Sequence, residues 1–315
     1  MLAAGMIVAG AAAAPACSRT LDAGPGLRDA GGAGFFDGGG AGASSGSSFV
    51  ACAPNTQVGA MYLAVQATST TTGYTAFDAT IWDGVHAEPY QNVATSGACA
   101  LLAGAPPADC TPPCAGAQIC RPPGQCAPPP QTHSVGYIEI AGLANPFMLP
   151  PFDGGTITYE SEPGSEPFPP AAAGALLTLT TTGGDYAPFS LTGTGVAPLF
   201  PPAGTLTVAR DQPLALTWPS QGGPAQVRVS ADVDLGNNTG LDMGRAPGTG
   251  IVRCEFSDSG AGTVPAELIN TLLDQGVGTG PQVRLTRQTV DSTTIAPGCV
   301  EFTVASGTTQ PVTIN

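Results

Sequence analysis

The chain has 315 residues and a formal net charge of −14, and its nine basic side chains are all arginine. Without lysine there is no P-loop lysine, kinase strand lysine or Schiff-base lysine, and scattered arginines in an acidic chain offer no stripe for a phosphate backbone. Glycine and proline number 44 and 32, about a quarter of the chain and near the low-complexity level, yet 42% hydrophobic residues exclude wholesale disorder.

The first element is for export. Leu2 to Ala14 is an apolar run too short to span a bilayer and of the right length for a signal-peptide core. Ala14-Pro15-Ala16-Cys17 follows. Ala14 and Ala16 fit ordinary cleavage, and small residues directly before Cys17 fit a lipobox. Cysteine parity favours the second. The nine cysteines are an odd number, and setting Cys17 aside as a lipid anchor leaves eight that can all pair. Residues 1–16 are thus expected to be a signal peptide, and Cys17 the lipidated N-terminus; plain secretion is the alternative. Ser18 at the next position points to the outer membrane.

Residues 17–48 are a Gly/Ala/Ser stretch expected to form a disordered tether. Gly42-Ala43-Ser44-Ser45-Gly46 matches a nucleophile elbow by letter, but no strand precedes it and no helix follows, so it reads as chance.

From residue 49 the apolar period is mostly two, which predicts a mostly β protein. Expected strands are 57–66, 74–82, 135–141, 155–160, 175–181, 205–209, 214–218, 226–233, 251–256, 282–288 and 300–304. Pro265 and Glu267, with Leu268/Leu272 and Ile269/Leu273 four apart and Gly276 beyond, predict one short helix. Gly, Pro and Asn clusters supply the turns. The Gly/Pro stretch at 193–204 suggests a boundary: a first β-domain over 49–203 with a Cys-rich insert at about 99–130, and a second β-sandwich domain over 204–315. The fold expected is two β-sandwich-like domains with a disulfide-rich insert.

Cys110, Cys114, Cys120 and Cys126 lie among prolines and glycines that cannot form a core. Zinc would suit four thiolates, but knuckles are usually tighter, and an exported chain favours disulfides. Of three connectivities, the interlaced Cys110–Cys120 with Cys114–Cys126 is preferred. Cys52 is then expected to pair with Cys99, and Cys254 with Cys299.

The order of lipobox, tether, β-domain, Pro-rich insert and second β-domain resembles predicted surface lipoproteins of myxobacteria. The segments CTPPCAGAQICRPPGQC, ARDQPLALTW, IVRCEF and IAPGCVEFTV carry the likeness across nearly the whole chain. The resemblance implies lipidation and surface display, and brings no catalytic residues.

Signals for chemistry are sparse. Asp83, His86 and Glu88 form a weak metal candidate in a loop after a strand, with a polar loop as the default reading. His133 reads as an exposed linker residue. Asp232, Asp234, Asn237, Asn238 and Asp242 resemble a calcium loop in composition, but depart from its spacing and lack its glutamate. Trp218, ending an apolar strand, is expected in a core. No cofactor and no catalytic residue is assigned. The function expected is a lipid-anchored envelope or surface protein with a structural or binding role toward an envelope polysaccharide or protein. The alternative is a secreted hydrolase or carbohydrate-binding module with an unlocated site.

Overall fold

Alternating apolar side chains give strands nearly everywhere in the computed structural model, which describes residues 49–315 except 70, 86–89, 105–109, 117, 122–123, 163, 201–203, 223–225 and 237–249. In chain order the strands begin with β1 Gln57–Ala67, β2 Gly73–Ile81, β3 Tyr90–Ser96, β4 Cys99–Gly104, β5 Ile119–Arg121 and β6 Gln125–Ala127. Next come β7 Ile138–Ala141, β8 Phe147–Leu149, β9 Phe152–Asp153, β10 Ile157–Glu160, β11 Leu176–Thr181, β12 Ser190–Thr194 and β13 Leu206–Val208. The rest are β14 Leu214–Thr217, β15 Arg228–Asp234, β16 Gly250–Ser257, β17 Ala261–Val264, β18 Gln282–Thr294 and β19 Cys299–Ile314. The helix α1, Ala266–Asp274, follows β17 and stops at Gly276, whose positive φ of 99° suits a residue without Cβ.

One eleven-stranded sheet runs β3-β4-β16-β15-β18-β19-β1-β2-β10-β9, with β13 also pairing with β19. Its spine is the antiparallel β18–β19 hairpin, in register from Gln282↔Pro311 to Thr294↔Cys299. Beside it β1 runs parallel to β19. A four-stranded sheet, β12-β11-β7-β8, and two-stranded ribbons β14–β17 and β5–β6 complete the described structure.

The sandwich-like layering produces two apolar cores. In the first, Met61, Leu63 and Val65 of β1 and Val300, Phe302 and Val304 of β19 pack against Ile138, Ile140, Leu177, Leu179 and Leu191 of the small sheet. In the second, Val229, Val233, Val252, Val283 and Leu285 pack against Leu214, Leu216, Val264 and Leu268, Ile269 and Leu272 of α1. Trp218 joins this core at 5% exposure.

Between the cores the spine turns polar on the same face. Odd-numbered positions of β18 pass from Val283 and Leu285 to Arg287, Thr289 and Asp291, and these polar groups dock the segment that connects the two sandwiches. Asp291 Oδ2 accepts from Thr192 N at 2.7 Å and Thr192 Oγ1 at 2.9 Å. Thr289 Oγ1 accepts from Thr194 N and donates to Thr194 O, and Ser306 Oγ accepts from Leu199 N. Side chains thus satisfy the outer edge of β12 where no strand does. Gly193 lets β12 come this close: a Cβ there would meet Val304 Cγ2 at 2.7 Å.

Arg287 is buried at 1% exposure and meets both oxygens of Asp258, at 3.0 and 3.2 Å. It also donates to Ala197 O and Pro219 O. Asp258 in turn accepts from Trp218 Nε1 and Gln221 N, so the buried pair is fully hydrogen-bonded.

Two expectations need correction. The boundary at 203/204 does not divide the sheet, because strands from both sides of it pair: β1 with β19, and β4 with β16. Each half lends a strand to the other half's core, Phe302 of β19 to the first and Leu101 of β4 to the second. The Cys-rich insert also begins later than 99, since Cys99–Gly104 is an inner strand buried at every position. Burial on both faces removes the alternation that would have marked it.

Candidate functional site

The eight cysteines among the described residues form four disulfides. Cys110 joins Cys120 and Cys114 joins Cys126, the interlaced order, across separations of 10 and 12 residues. They staple the β5–β6 ribbon, in which Cys120 stands opposite Cys126. The sulfurs of Cys110, Cys114 and Cys126 lie within 4.8 Å of one another, but as cystines they offer no thiolate to a metal.

The other two pairings differ from those expected. Cys52 joins Cys299, not Cys99, and Cys99 joins Cys254, not Cys299. Sheet register is the reason. Cys99 of β4 stands directly opposite Cys254 of β16. Cys299 opens β19 beside the start of β1, where the chain arrives from Cys52. Separations of 247 and 155 residues are compatible with this because loop-closure entropy grows only logarithmically with length.

Of the weak metal candidate, His86 and Glu88 lie outside the described residues, while Asp83 is described and faces the other histidine. His133 Nε2 lies 3.8 Å from Asp83 Oδ2, and His133 Nδ1 lies 3.2 Å from Asp185 Oδ2. Three short segments bring them together. The residues leaving β2 pair with 131–133 through a Trp82↔Thr132 bridge, Asp83 N to Gln131 O, and His133 N to Ile81 O. The β11–β12 turn is held to the same segment by Asp185 N to Ser134 O and Gly183 N to Val135 O. The Ser134 N–H, then the His133 ring, hold the Asp185 carboxyl below the usual carboxylate range. The Tyr186 ring lies 5.6 Å from the imidazole, and its hydroxyl donates to Trp82 O. Burial, then the charges of Asp83 and Asp185, raise the Tyr186 phenol. His133 carried no spacing signal, because its partners come from loops about 50 residues away on either side.

A second titratable group lies on the face of the large sheet away from the cores. Arg253 holds Asp232 through two bonds, at 2.7 and 3.1 Å. Two residues along β16, burial pushes the Glu255 carboxyl up to about 7, with Arg253 opposing and Asp232 adding to the rise. Its Oε2 has no hydrogen-bond partner among the described residues. Burial likewise raises the Tyr62 phenol on β1, against Arg284. Of these groups, Arg253 and Asp232 satisfy one another.

The calcium-like segment takes a different role where it is described. Asp232 is bound by Arg253, and Asp234 Oδ1 accepts from Gly236 N in a local turn. Asn237, Asn238 and Asp242 lie outside the described residues, as do Cys17, the G-x-S-x-G match, the signal peptide and the tether. Among the described residues, no helix is long and apolar enough to cross a membrane. No known protein family, curated protein or solved structure matches this chain.

Proposed function

We propose that the protein is an exported, lipid-anchored component of the cell envelope or surface, with a structural or binding role rather than a catalytic one. The observation that carries this reading is the use of cysteine. Four disulfides consume all eight described cysteines, two of them closing separations of 247 and 155 residues. Bonds of this kind form and persist in oxidising compartments. The ninth cysteine, Cys17, stands after an apolar run and a small-residue triplet, where a diacylglycerol thioether would attach it to a membrane.

The described titratable groups support a non-catalytic role, because they act mainly on one another. Arg287 meets Asp258, Arg253 meets Asp232, and Asp185 orients His133. The partner class proposed is an envelope polysaccharide or protein.

Mass spectrometry of the N-terminal peptide from the membrane fraction tests the reading. Acylated Cys17 is the result expected. A Cys17 with a free thiol, or an N-terminus elsewhere, overturns the anchor. Cys17→Ser is expected to move the protein from the membrane fraction to the soluble fraction.

A further inference from the structure

We propose that the outer face of the large sheet at Glu255 is a docking surface for this chain's own residues 45–48, which cross from β15 to β16 and supply the hydrogen-bond donors that Glu255 lacks. Read backward from β1, the backbone passes one strand of the sheet after another. Cys52 is bonded to Cys299 of β19, and its N–H donates to Glu301 Oε1. Val50 N donates to Val290 O of β18 at 3.0 Å. Phe49 lies against Arg228 of β15, with the guanidinium carbon 4.5 Å from the ring centroid. Val300 and Phe302 point into one core and Val229 into the other, so Glu301 and Arg228 stand on the opposite face. The sequence β1, β19, β18, β15 is the order of strands in the sheet, and β16 is the next.

Glu255 stands where that path arrives. Val252 and Cys254 of β16 face the core, which places Glu255 on the outer face. Arg228 pairs with Ser257 and Ser230 with Glu255, so Glu255 lies one strand over and two residues along from Arg228. Strand spacing and rise make that diagonal about 8 Å. An extended chain covers it in about three residues, so Ser48, Ser47 and Gly46 reach it from Phe49.

The chemistry matches at both ends. Glu255 Oε2 is buried with no hydrogen-bond partner among the described residues, although Arg253 and Arg228 are near enough to act on its charge. Arg253 spends its Nε and Nη2 donors on Asp232, and Arg228 is stacked on Phe49. A buried carboxylate oxygen calls for a donor. Ser45-Gly46-Ser47-Ser48 carries four backbone N–H groups and three hydroxyls. Its side chains are small enough to pass flat over a strand without displacing either guanidinium. The N-terminal stretch then leaves the sheet from β16 and not from Phe49.

The test uses the full chain with its disulfides intact. Hydrogen exchange resolved to single amides is expected to be at least about 10-fold slower at residues 46–48 than at residues 31–40 of the same chain. With p-benzoylphenylalanine in place of Ser47, light should cross-link the chain to itself within 228–232 or 253–257. Glu255→Ala should bring exchange at 46–48 to the rate of 31–40, and Glu255→Gln, which keeps an acceptor, should leave the protection in place. Equal exchange in the two stretches of the parent overturns the proposal. So does protection that survives Glu255→Ala, or a cross-link to a second copy or to other strands. Should Glu255→Ala unfold the chain, parent exchange and the cross-link decide between these outcomes.

Discussion

The chain uses cystine in two opposite ways. In the β5–β6 ribbon, two disulfides spanning 10 and 12 residues replace a core that prolines and glycines cannot build. In the large sheet, two disulfides spanning 247 and 155 residues tie β19 to the segment leading into β1, and β4 to β16, in strands that already have cores on one face. The first pair makes a local structure possible. The second pair fastens together two halves that have exchanged strands, with Cys299 and Cys99 each carried on or at the start of a lent strand.

The sharpest way to break this contrast is to remove one bridge of each kind. Cys52→Ala with Cys299→Ala frees a very long loop in the unfolded chain, for which the chain-entropy relation gives a loss of about 5 kcal/mol. Calorimetry should show a large fall in Tm for the main transition. Removing all four cysteines of the ribbon should leave that transition nearly in place, while limited proteolysis begins to cut within 110–127. An equal fall in both variants would remove the distinction.

The polar seam between the two cores is the next test, because it joins the sandwiches without covalent help. Arg287→Ala leaves Asp258 buried and short of its cation, and should cost about 3–5 kcal/mol by denaturant unfolding. Asp258→Ala should cost a similar amount, and the double variant should cost clearly less than the sum. Additivity would mean that the pair does not act as a unit.

A smaller effect concerns the opposite face. Glu255 has a folded-state pKa raised to about 7, so the folded state binds the extra proton between the unfolded value and 7. Its contribution is therefore fully present below about pH 4.5 and is lost as the pH rises through 7. Glu255→Gln should flatten that slope and stabilise the protein by roughly 1–3 kcal/mol at pH 8. Near pH 4 it should match the parent. A variant less stable than the parent at pH 8 would mean that the charged form is favoured by Arg253 and Arg228.

Local features were legible in the sequence, and the long-range partnership was not. Alternation in Val252/Cys254/Phe256 and Val283/Leu285 marks β16 and β18, and Pro265 with the Leu/Ile repeat marks α1. The spacing of the ribbon's four cysteines leaves three connectivities open, and the interlaced one preferred among them is the one that forms. Cys99–Gly104 was hidden because an inner strand buried on both faces has no period. The same omission displaced the disulfides, since without β4 nothing indicates that Cys99 faces Cys254. His133 carries no local signal for a related reason: Asp83 and Asp185 reach it only after two sheets have been laid down.

The exchanged strands are the account's central claim, and disulfide mapping tests it most directly. Proteolysis without reduction, followed by mass spectrometry, should recover a peptide pair joining Cys52 to Cys299 and another joining Cys99 to Cys254. Recovery of Cys52 joined to Cys99, with Cys254 joined to Cys299, would contradict it, because each half would then close on itself and the shared sheet would lose its covalent ties.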